Sequence, residues 1–197
     1  MALTYIMKKL LCDIADIRLG YSFRGAIPFD VDGDYFVAQV RDIDDMTQAV
    51  LTEHLTQISF DGNVDALLQD QDILLSTRGT ESSGLKVGIY DGQEEYIIAA
   101  SSLYVLRITD TNVLPRYVLY YLNSFYGQRA LKNMMSGATI KTIAKKDLSE
   151  IMIPIPPIPT QHTIVEAMLN ITKQKILLQQ KMNVLGTLTD NIISIHQ

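Results

Sequence analysis

The run Ile151-Met152-Ile153-Pro154-Ile155-Pro156-Pro157-Ile158-Pro159, followed by a stretch to His196 with no further proline, divides this chain into two kinds of structure. Each of the four prolines fixes its own φ and disfavours helical geometry in the residue before it, so the run is held extended. Thr160 then reads as the N-cap of a helix, its hydroxyl accepting from an amide of the first turn. Glu166 places negative charge early in that helix, where the dipole favours it. From Thr160 onward the only glycine is Gly186. One helix of about 37 residues at about 1.5 Å per residue would be about 55 Å long, more than a small domain can cover.

Stepping alternately four and three residues from Ile164 gives Met168, Ile171, Lys175, Leu178, Met182, Leu185, Thr189, Ile192 and His196, a mostly apolar heptad seam. Such a seam needs a partner helix, and its apolar members Ile164, Met168, Ile171, Leu178, Met182, Leu185 and Ile192 are the expected contact residues. Val165, Leu169, Ile176, Leu177, Val184, Leu188 and Ile193 widen the face beyond a strict coiled coil, which points to contact with more than one element. The other reading is a terminal helix folded back on its own domain, and length argues against it.

The 197 residues, 47% hydrophobic and 20% charged, suit one substantial domain plus the helical extension. The single cysteine, Cys12, can form no internal disulfide and is expected to be a small buried residue. With no cysteine–histidine cluster there is no structural zinc site, and a reducing cytoplasm fits best. No stretch approaches a membrane span, and Met1 to Leu11 does not read as an export signal. The net charge of −5 argues against nucleic acid until its distribution is considered. From Asp30 to Asp72 eleven acids face the single base Arg41, whereas Arg116, Arg129, Lys132, Lys141, Lys145 and Lys146 lie between Asp110 and Asp147 with no acid among them. A basic patch on an acidic protein is thereby possible, as is an ordinary solvated basic face.

Residues 10–20 read as a short turn running into a strand that ends at Gly20, and Asp34 to Val40 reads as another strand. The acidic stretch Arg41 to Asp72 mixes loops with short strands. Asp72 to Ser76 forms a strand that empties into the polar loop Thr77 to Gly84, ahead of a strand from Leu85 to Tyr90. Asp91-Gly92 carries the signature of a type I′ hairpin turn into a strand from Glu95 to Ala100, with a further strand over Leu103 to Ile108. Pro115 suits the first turn of a helix with Val118, Leu119 and Leu122 on one face, and a second helix runs from Gln128 to Met135. The domain is thus mixed α and β, without the βαβ repetition of a doubly wound sheet.

Catalytic signatures are missing. The loop Gly79-Thr80-Glu81-Ser82-Ser83-Gly84 has the glycine spacing of a phosphate-binding loop but continues into Leu85 instead of the required Lys-Ser/Thr pair. None of the asparagines precedes a proline, so there is no amino-methyltransferase motif, and no lysine has an acid two positions before it as in a common nuclease motif. His54, His162 and His196 are scattered, with neither triad nor metal-ligand spacing. No cofactor is expected.

Four stretches in order carry a family resemblance: residues 14–20 (Ile-Ala-Asp-Ile-Arg-Leu-Gly), 72–80 (Asp-Ile-Leu-Leu-Ser-Thr-Arg-Gly-Thr), 136–143 (Ser-Gly-Ala-Thr-Ile-Lys-Thr-Ile) and the junction Leu148 to Val165. With these the chain resembles half of a specificity subunit of a type I restriction-modification system. The resemblance implies an α+β fold: a β-rich DNA target-recognition domain over 1–158, then a long C-terminal coiled-coil-like helix over 159–197. It implies a non-catalytic role, with double-stranded DNA, a modification (methyltransferase) subunit and a restriction subunit as partners. Family members resemble two such units in tandem, their helices antiparallel, whereas this chain holds one. Either it homodimerises through its helix and reads a bipartite palindromic site, or it works beside another specificity chain. The family often has Glu where His162 stands. Arg129, Lys132, Lys141, Lys145 and Lys146, with Ser136, Gly137 and Thr139, are expected at phosphates. Arg24, Arg41 and Arg78, with Ser22, Ser76, Thr77 and Thr80, are expected near base edges. The rival from another class is a coiled-coil interaction adaptor whose head binds a non-DNA partner.

Overall fold

The computed structural model describes residues 7–62, 66–80, 82–92, 96–138 and 140–194, with the backbone alone at 190, 192 and 193. The centre of the head is an antiparallel four-stranded sheet of β2 (Ala15–Leu19), β9 (Leu103–Ile108), β5 (Ile73–Ser76) and β7 (Val87–Ile89), in that order. Both faces of this sheet are covered, which explains why Ile73, Leu74 and Leu75 are consecutive apolar residues and all 0% exposed. On one face Ile17, Ile73, Leu75, Tyr104 and Leu106 pack with Leu11 and Ile14 of the short helix α1 (Leu11–Ile14), and with Tyr117, Val118 and Leu122 of α2 (Pro115–Asn123). On the other, Leu74, Leu103 and Val105 pack on Ala38, Ile97 and Ala99. These last three belong to a second sheet, β4 (Thr56–Ile58), β3 (Tyr35–Ala38) and β8 (Ile97–Ala99), in which β3 and β8 run parallel. Side-chain alternation along a strand thus serves two cores at once. Burial of each such Leu or Ile contributes about 1.5–3 kcal/mol.

The pairing of β3 with β8 overturns the hairpin expected at Asp91-Gly92, because β7 pairs with β5 and β8 lies in the other sheet. Gly92 has a different duty. A Cβ there would sit 2.7 Å from the ring of Tyr90, which is itself only 1% exposed. Asp91 instead pairs with Arg116 and accepts from Gln71. Residues 93–95, including the expected strand start at Glu95, lie outside the described residues.

Inside the head Arg107 forms a two-pronged pair with Asp72: Nε donates to Oδ1 at 2.8 Å and Nη2 to Oδ2 at 2.6 Å, with Asp72 1% exposed. The Asp72 bonds raise the guanidinium's pKa against the opposing pull of burial. Lysine keeps the charge but lacks the planar fork, so Arg107→Lys is expected to cost about 1–2 kcal/mol, read from the urea midpoint.

Pro115 occupies the first turn of α2, as its fixed φ and missing N–H favour. The next helix, α3 (Phe125–Met134), starts earlier than its sequence pattern indicates, because the Ser124 hydroxyl caps it by accepting from the amide of Gly127 at 3.1 Å. A short helix α4 (Lys145–Ser149) precedes β11 (Met152–Ile155), the extended part of the proline-rich run, which pairs antiparallel with β1 (Met7–Leu10). Two tyrosines of α2 hold that run: the Tyr117 hydroxyl donates to the carbonyl of Pro154 at 2.5 Å, and that of Tyr121 to Met152 at 3.3 Å. Burial, with Tyr121 beside it, pushes the Tyr117 hydroxyl up to about 12, so it stays a donor at any physiological pH.

Lys9 of β1 meets Asp110, just past β9, at 2.5 Å. The Lys9 hydrogen bond, aided by the Asn112 amide, holds the Asp110 carboxyl below its ordinary value. A depressed carboxyl stabilises the fold above its unfolded pKa of about 3.9 and loses that contribution as pH falls through the folded value. Asp110→Asn is therefore expected to flatten the decline of the urea midpoint below pH 4, and an unchanged slope would remove Asp110 from the account.

The terminal helix α5 spans Ile158–Ser194. It begins before Thr160: the Thr160 and Gln161 amides both bond to the carbonyl of Pro157, so Pro157 stands at the cap and Thr160 lies inside the first turn. Gln161 is 0% exposed, and Val165 is buried in the head's core with Ile164, Met168 and Leu169 partly buried beside it. Farther on the apolar face is bare, with Ile171, Leu178, Met182 and Leu185 exposed at 43%, 61%, 65% and 53%. The helix leaves the head instead of folding back along it. Among the described residues no helix is long and apolar enough to cross a membrane. Cys12, expected inside, is exposed on α1, where the flanking Leu11 and Ile14 take the inward positions.

Candidate nucleic-acid interface

Both sheets of the head end at one pole. β2 ends where β9 begins (Leu19 opposite Tyr104), β5 ends opposite the start of β9 (Ser76 opposite Leu103), and β3 ends beside the end of β8 (Ala38 beside Ala99). The turn Ala100 to Ser102 joins these ends. The Tyr21 amide donates to the Ala99 carbonyl at 2.7 Å, Ser101 to Tyr21 at 2.8 Å, Thr77 to Ser102 at 2.9 Å and Ile143 to Thr77 at 3.2 Å. Gly20 makes this stitching possible, since a Cβ there would fall 2.2 Å from the carbonyl oxygen of Ala100. The loops carrying Ser22 and Arg24, Arg41, and Thr77 to Thr80 therefore depart from the same end of the fold.

Onto this pole folds the segment after α3. β6 (Arg78–Gly79) pairs with β10 (Lys141–Thr142), setting Arg78 opposite Thr142 and Gly79 opposite Lys141, while Ser136 and Thr142 exchange backbone bonds at 2.9 and 2.8 Å. Gly137 has φ +118°, and a Cβ would also meet the Ile140 carbonyl oxygen at 2.5 Å, so glycine is required for the turn. Gln128 anchors α3 to the polar loop: its Oε1 accepts from the Leu85 amide at 3.2 Å and its Nε2 donates to the Leu85 carbonyl at 3.0 Å. That contact brings Lys132 alongside Gly84. The Tyr104 hydroxyl donates to the carbonyl of Ile143 at 3.1 Å, fixing the start of α4 and with it Lys145 and Lys146.

Arg24, Arg78, Arg129, Lys145 and Lys146 are exposed, and among the described residues no carboxylate pairs with their side chains. Elsewhere on the head Lys9, Arg107 and Arg116 each meet an aspartate. Unpaired cations raise the local potential toward anions whatever the total charge. Arg41 is partly committed, donating to the Thr56 hydroxyl at 3.0 Å and lying 3.7 Å from Asp42. Burial raises the Asp42 carboxyl's pKa against the lowering pull of the Gln39 amide.

One of the sequence-predicted contacts is displaced. Ser76 is 1% exposed and its hydroxyl accepts from the Lys86 amide at 2.9 Å, so it holds two strands together and presents nothing outward. Thr77 is half-buried with its hydroxyl donating to the Ser102 carbonyl at 3.2 Å, whereas Thr80 is exposed in a hydroxyl cluster, 2.7 Å from Ser83 Oγ. Ser22, Ser136 and Gly137 are exposed, Lys132 and Lys141 half-buried, and Thr139 lies outside the described residues. Among the seam positions Ile164 and Met168 sit at the root against the head, and the side chain of Ile192 is outside the described residues. Sequence reasoning missed Gln128 and the Ser101-Ser102 turn, neither of which carries any local pattern.

Over 122 residues the chain is 29% identical to a curated protein named as the specificity subunit of the MjaX type I restriction enzyme of Methanocaldococcus jannaschii, covering 61% of this chain and 26% of that one. The HsdS subunit of Thermoanaerobacter tengcongensis has a similar fold, with a TM-score of 0.65 at 23% identity over 92% of this chain and 40% of that one. So does the type I S subunit of M. genitalium, with a TM-score of 0.56 at 18% identity over 85% of this chain and 39% of that one. At such identities the structural likeness is one of fold, and the chain spans well under half the length of these relatives. The model of the type I restriction modification DNA specificity domain matches residues 6–186, and the chain belongs to that family.

Proposed function

We propose that this chain supplies one half of a specificity subunit, in which the head (1–158) reads one half of a bipartite DNA site and the helix (159–197) pairs with a second specificity half. The simplest second half is another copy of the chain, which would give a palindromic site with a fixed gap. Separate modification and restriction subunits would supply methylation and cleavage, and no catalysis is assigned to this chain. The observation that carries the reading is the group of exposed cations, Arg24, Arg78, Arg129, Lys145 and Lys146, which have no carboxylate partner among the described residues and stand on loops and helices around one pole of a fold shared with specificity subunits. Arginines on the loops suit guanine edges, and lysines near α4 suit phosphates.

The test is single-molecule mapping of methylated adenines in the source genome with and without this gene. Loss of a palindromic bipartite motif is the expected result, and loss of an asymmetric one would mean pairing with a different half. Unchanged methylation beside an active modification subunit would overturn the reading in favour of an adaptor. In the assembled complex, Lys141→Ala with Lys145→Ala is expected to weaken binding to every duplex and to lower the slope of log K against log salt by about 2. Filter binding from 50 to 200 mM salt measures it, and an unchanged slope would take both from the phosphate contacts.

A further inference from the structure

The second sheet carries a surface that DNA recognition leaves unused. Where β3 begins and β4 ends, at the opposite end of β3 from the pole, an open cleft of about 410 Å³ is lined by Asp34, Tyr35, Ser59, Phe60 and Asp61. Its aromatic side extends past the cleft as a row of rings. Tyr21 meets Phe60 with ring centroids 4.9 Å apart and planes at 87°, Phe60 meets Tyr35 at 5.3 Å and 63°, and Tyr35 meets Tyr96 at 5.4 Å and 76°. Neighbours at such steep angles turn their faces in different directions, so the row is not a flat stack. Beside it the loop 30–33 is laid along the end of β4. The Asp30 amide donates to the Gln57 carbonyl at 3.0 Å, the Ser59 hydroxyl donates to the Asp30 carboxylate at 2.6 Å, and a Cβ on Gly33 would fall 2.1 Å from the backbone of Ile58. The loop so pinned leaves Phe29 and Val31 71% and 68% exposed.

Charge and strain identify what fits this surface. Asp34 and Asp61 at the cleft, and Asp32 beside it, are exposed, and among the described residues no lysine or arginine pairs with them. Arg41, the single base of the stretch 30–72, is bonded to the Thr56 hydroxyl at the far end of β4. Carboxylates without partners repel phosphate, so this face turns DNA away. An ammonium or guanidinium gains from the same carboxylates and from the negative face of an adjoining ring. Phe29 and Val31, set among Asp30, Asp32 and Asp34, add apolar area to that charge, which fits an occupant with apolar residues beside its bases. Tyr96 has φ +76°, a left-handed conformation costly for a bulky side chain, and holds an exposed ring in the row; strain of this kind collects at ligand sites.

We propose that the cleft and the adjoining row of rings dock a basic segment of a partner protein, with an arginine or lysine side chain at Asp34 and Asp61 and an apolar neighbour against Phe29 and Val31. The inference goes beyond DNA recognition and stands without it, giving the head a protein-binding face at the far end of β3 from the pole.

The test follows a fluorescein-labelled octapeptide of alternating arginine and leucine by fluorescence anisotropy with the purified full chain. Saturable binding is expected, and its loss when glutamine replaces the arginines. Asp34→Asn with Asp61→Asn is expected to weaken binding about tenfold, the scale of two exposed charge partners lost. Asp13→Asn with Glu166→Gln removes the same charge from α1 and α5, which pack on the other face of the central sheet, and is expected to leave affinity nearly unchanged. Tyr96→Gly relieves the backbone, since glycine adopts positive φ freely, so the thermal midpoint should hold while the peptide binds more weakly. Absence of binding, equal binding of the glutamine peptide, or equal weakening by both acid pairs overturns the proposal. Tyr96→Gly with unchanged affinity overturns the part given to the rings. A dimer in light scattering that Asp34→Asn with Asp61→Asn dissolves would give the face to a second copy, and overturn the proposal as well.

Discussion

Gln161→Leu is expected to destabilise the chain by about 3 kcal/mol and to release the root of α5 from the head. The side chain is 0% exposed and uses its whole amide: Oε1 accepts from the Leu114 amide at 2.9 Å, while Nε2 donates to the carbonyls of Pro156 at 2.8 Å and Asn112 at 2.9 Å. Three backbone groups from two segments thus converge on one residue of the helix's first turn. Leucine fills similar space but leaves them without partners. Asn112 is exposed and its carbonyl can take water, so the cost falls mainly on the other two, at about 1–3 kcal/mol for each buried group left unmade. Gln161→Glu should fare no better at neutral pH, because a carboxylate has no N–H to offer two carbonyls. Urea unfolding gives the midpoint shift, and hydrogen exchange should show lost protection at Leu114. A change below about 0.5 kcal/mol would mean that water replaces the amide at no cost.

The second large effect is expected from Leu178→Glu combined with Met182→Glu. These positions are 61% and 65% exposed and lie at the centre of the seam, where an antiparallel pair would bring four carboxylates together. In the folded chain they touch little, so the thermal melt of the head should be unchanged. Solution mass should instead fall to that of a monomer, with loss of methylation at the bipartite motif. Retention of the dimer would mean that another surface joins the copies, whereas loss of the dimer with methylation intact would mean that the half-site unit acts alone.

What the sequence made legible was local. Period-two and heptad spacing, the prolines at 115 and 154–159 and the buried run at 73–75 all leave their mark within a few residues, and the elements they indicate are present. Longer-range pairing was not legible. The parallel match of β3 with β8 leaves no trace near Asp91-Gly92, where the glycine serves the packing of Tyr90 and only imitates a turn signal. Hydroxyls and amides misled in a similar way. Ser76 and Thr160 have the residue types of a surface contact and a cap, yet the first is consumed by the Lys86 amide and the second sits inside a helix already begun at Ile158. Gln128 and Gln161 look like ordinary solvated polar residues, and only the tertiary fold reveals what each amide holds. In the candidate interface the charge imbalance of 110–147 was visible in composition, but the joining of that segment to Arg78 and the 21–24 loop depends on the Ala100–Ser102 turn.

The antiparallel match of β1 with β11 has a consequence for inheritance. Met7 lies opposite Ile155 and Leu10 opposite Met152, so the chain enters and leaves the head through one two-stranded ribbon at the root of the stalk. Everything between Leu11 and Ile151 is therefore a cassette with adjacent ends. Recombination at the ribbon would exchange one head for another while the helix stayed untouched and, on the function proposed above, would change the DNA preference in one genetic step.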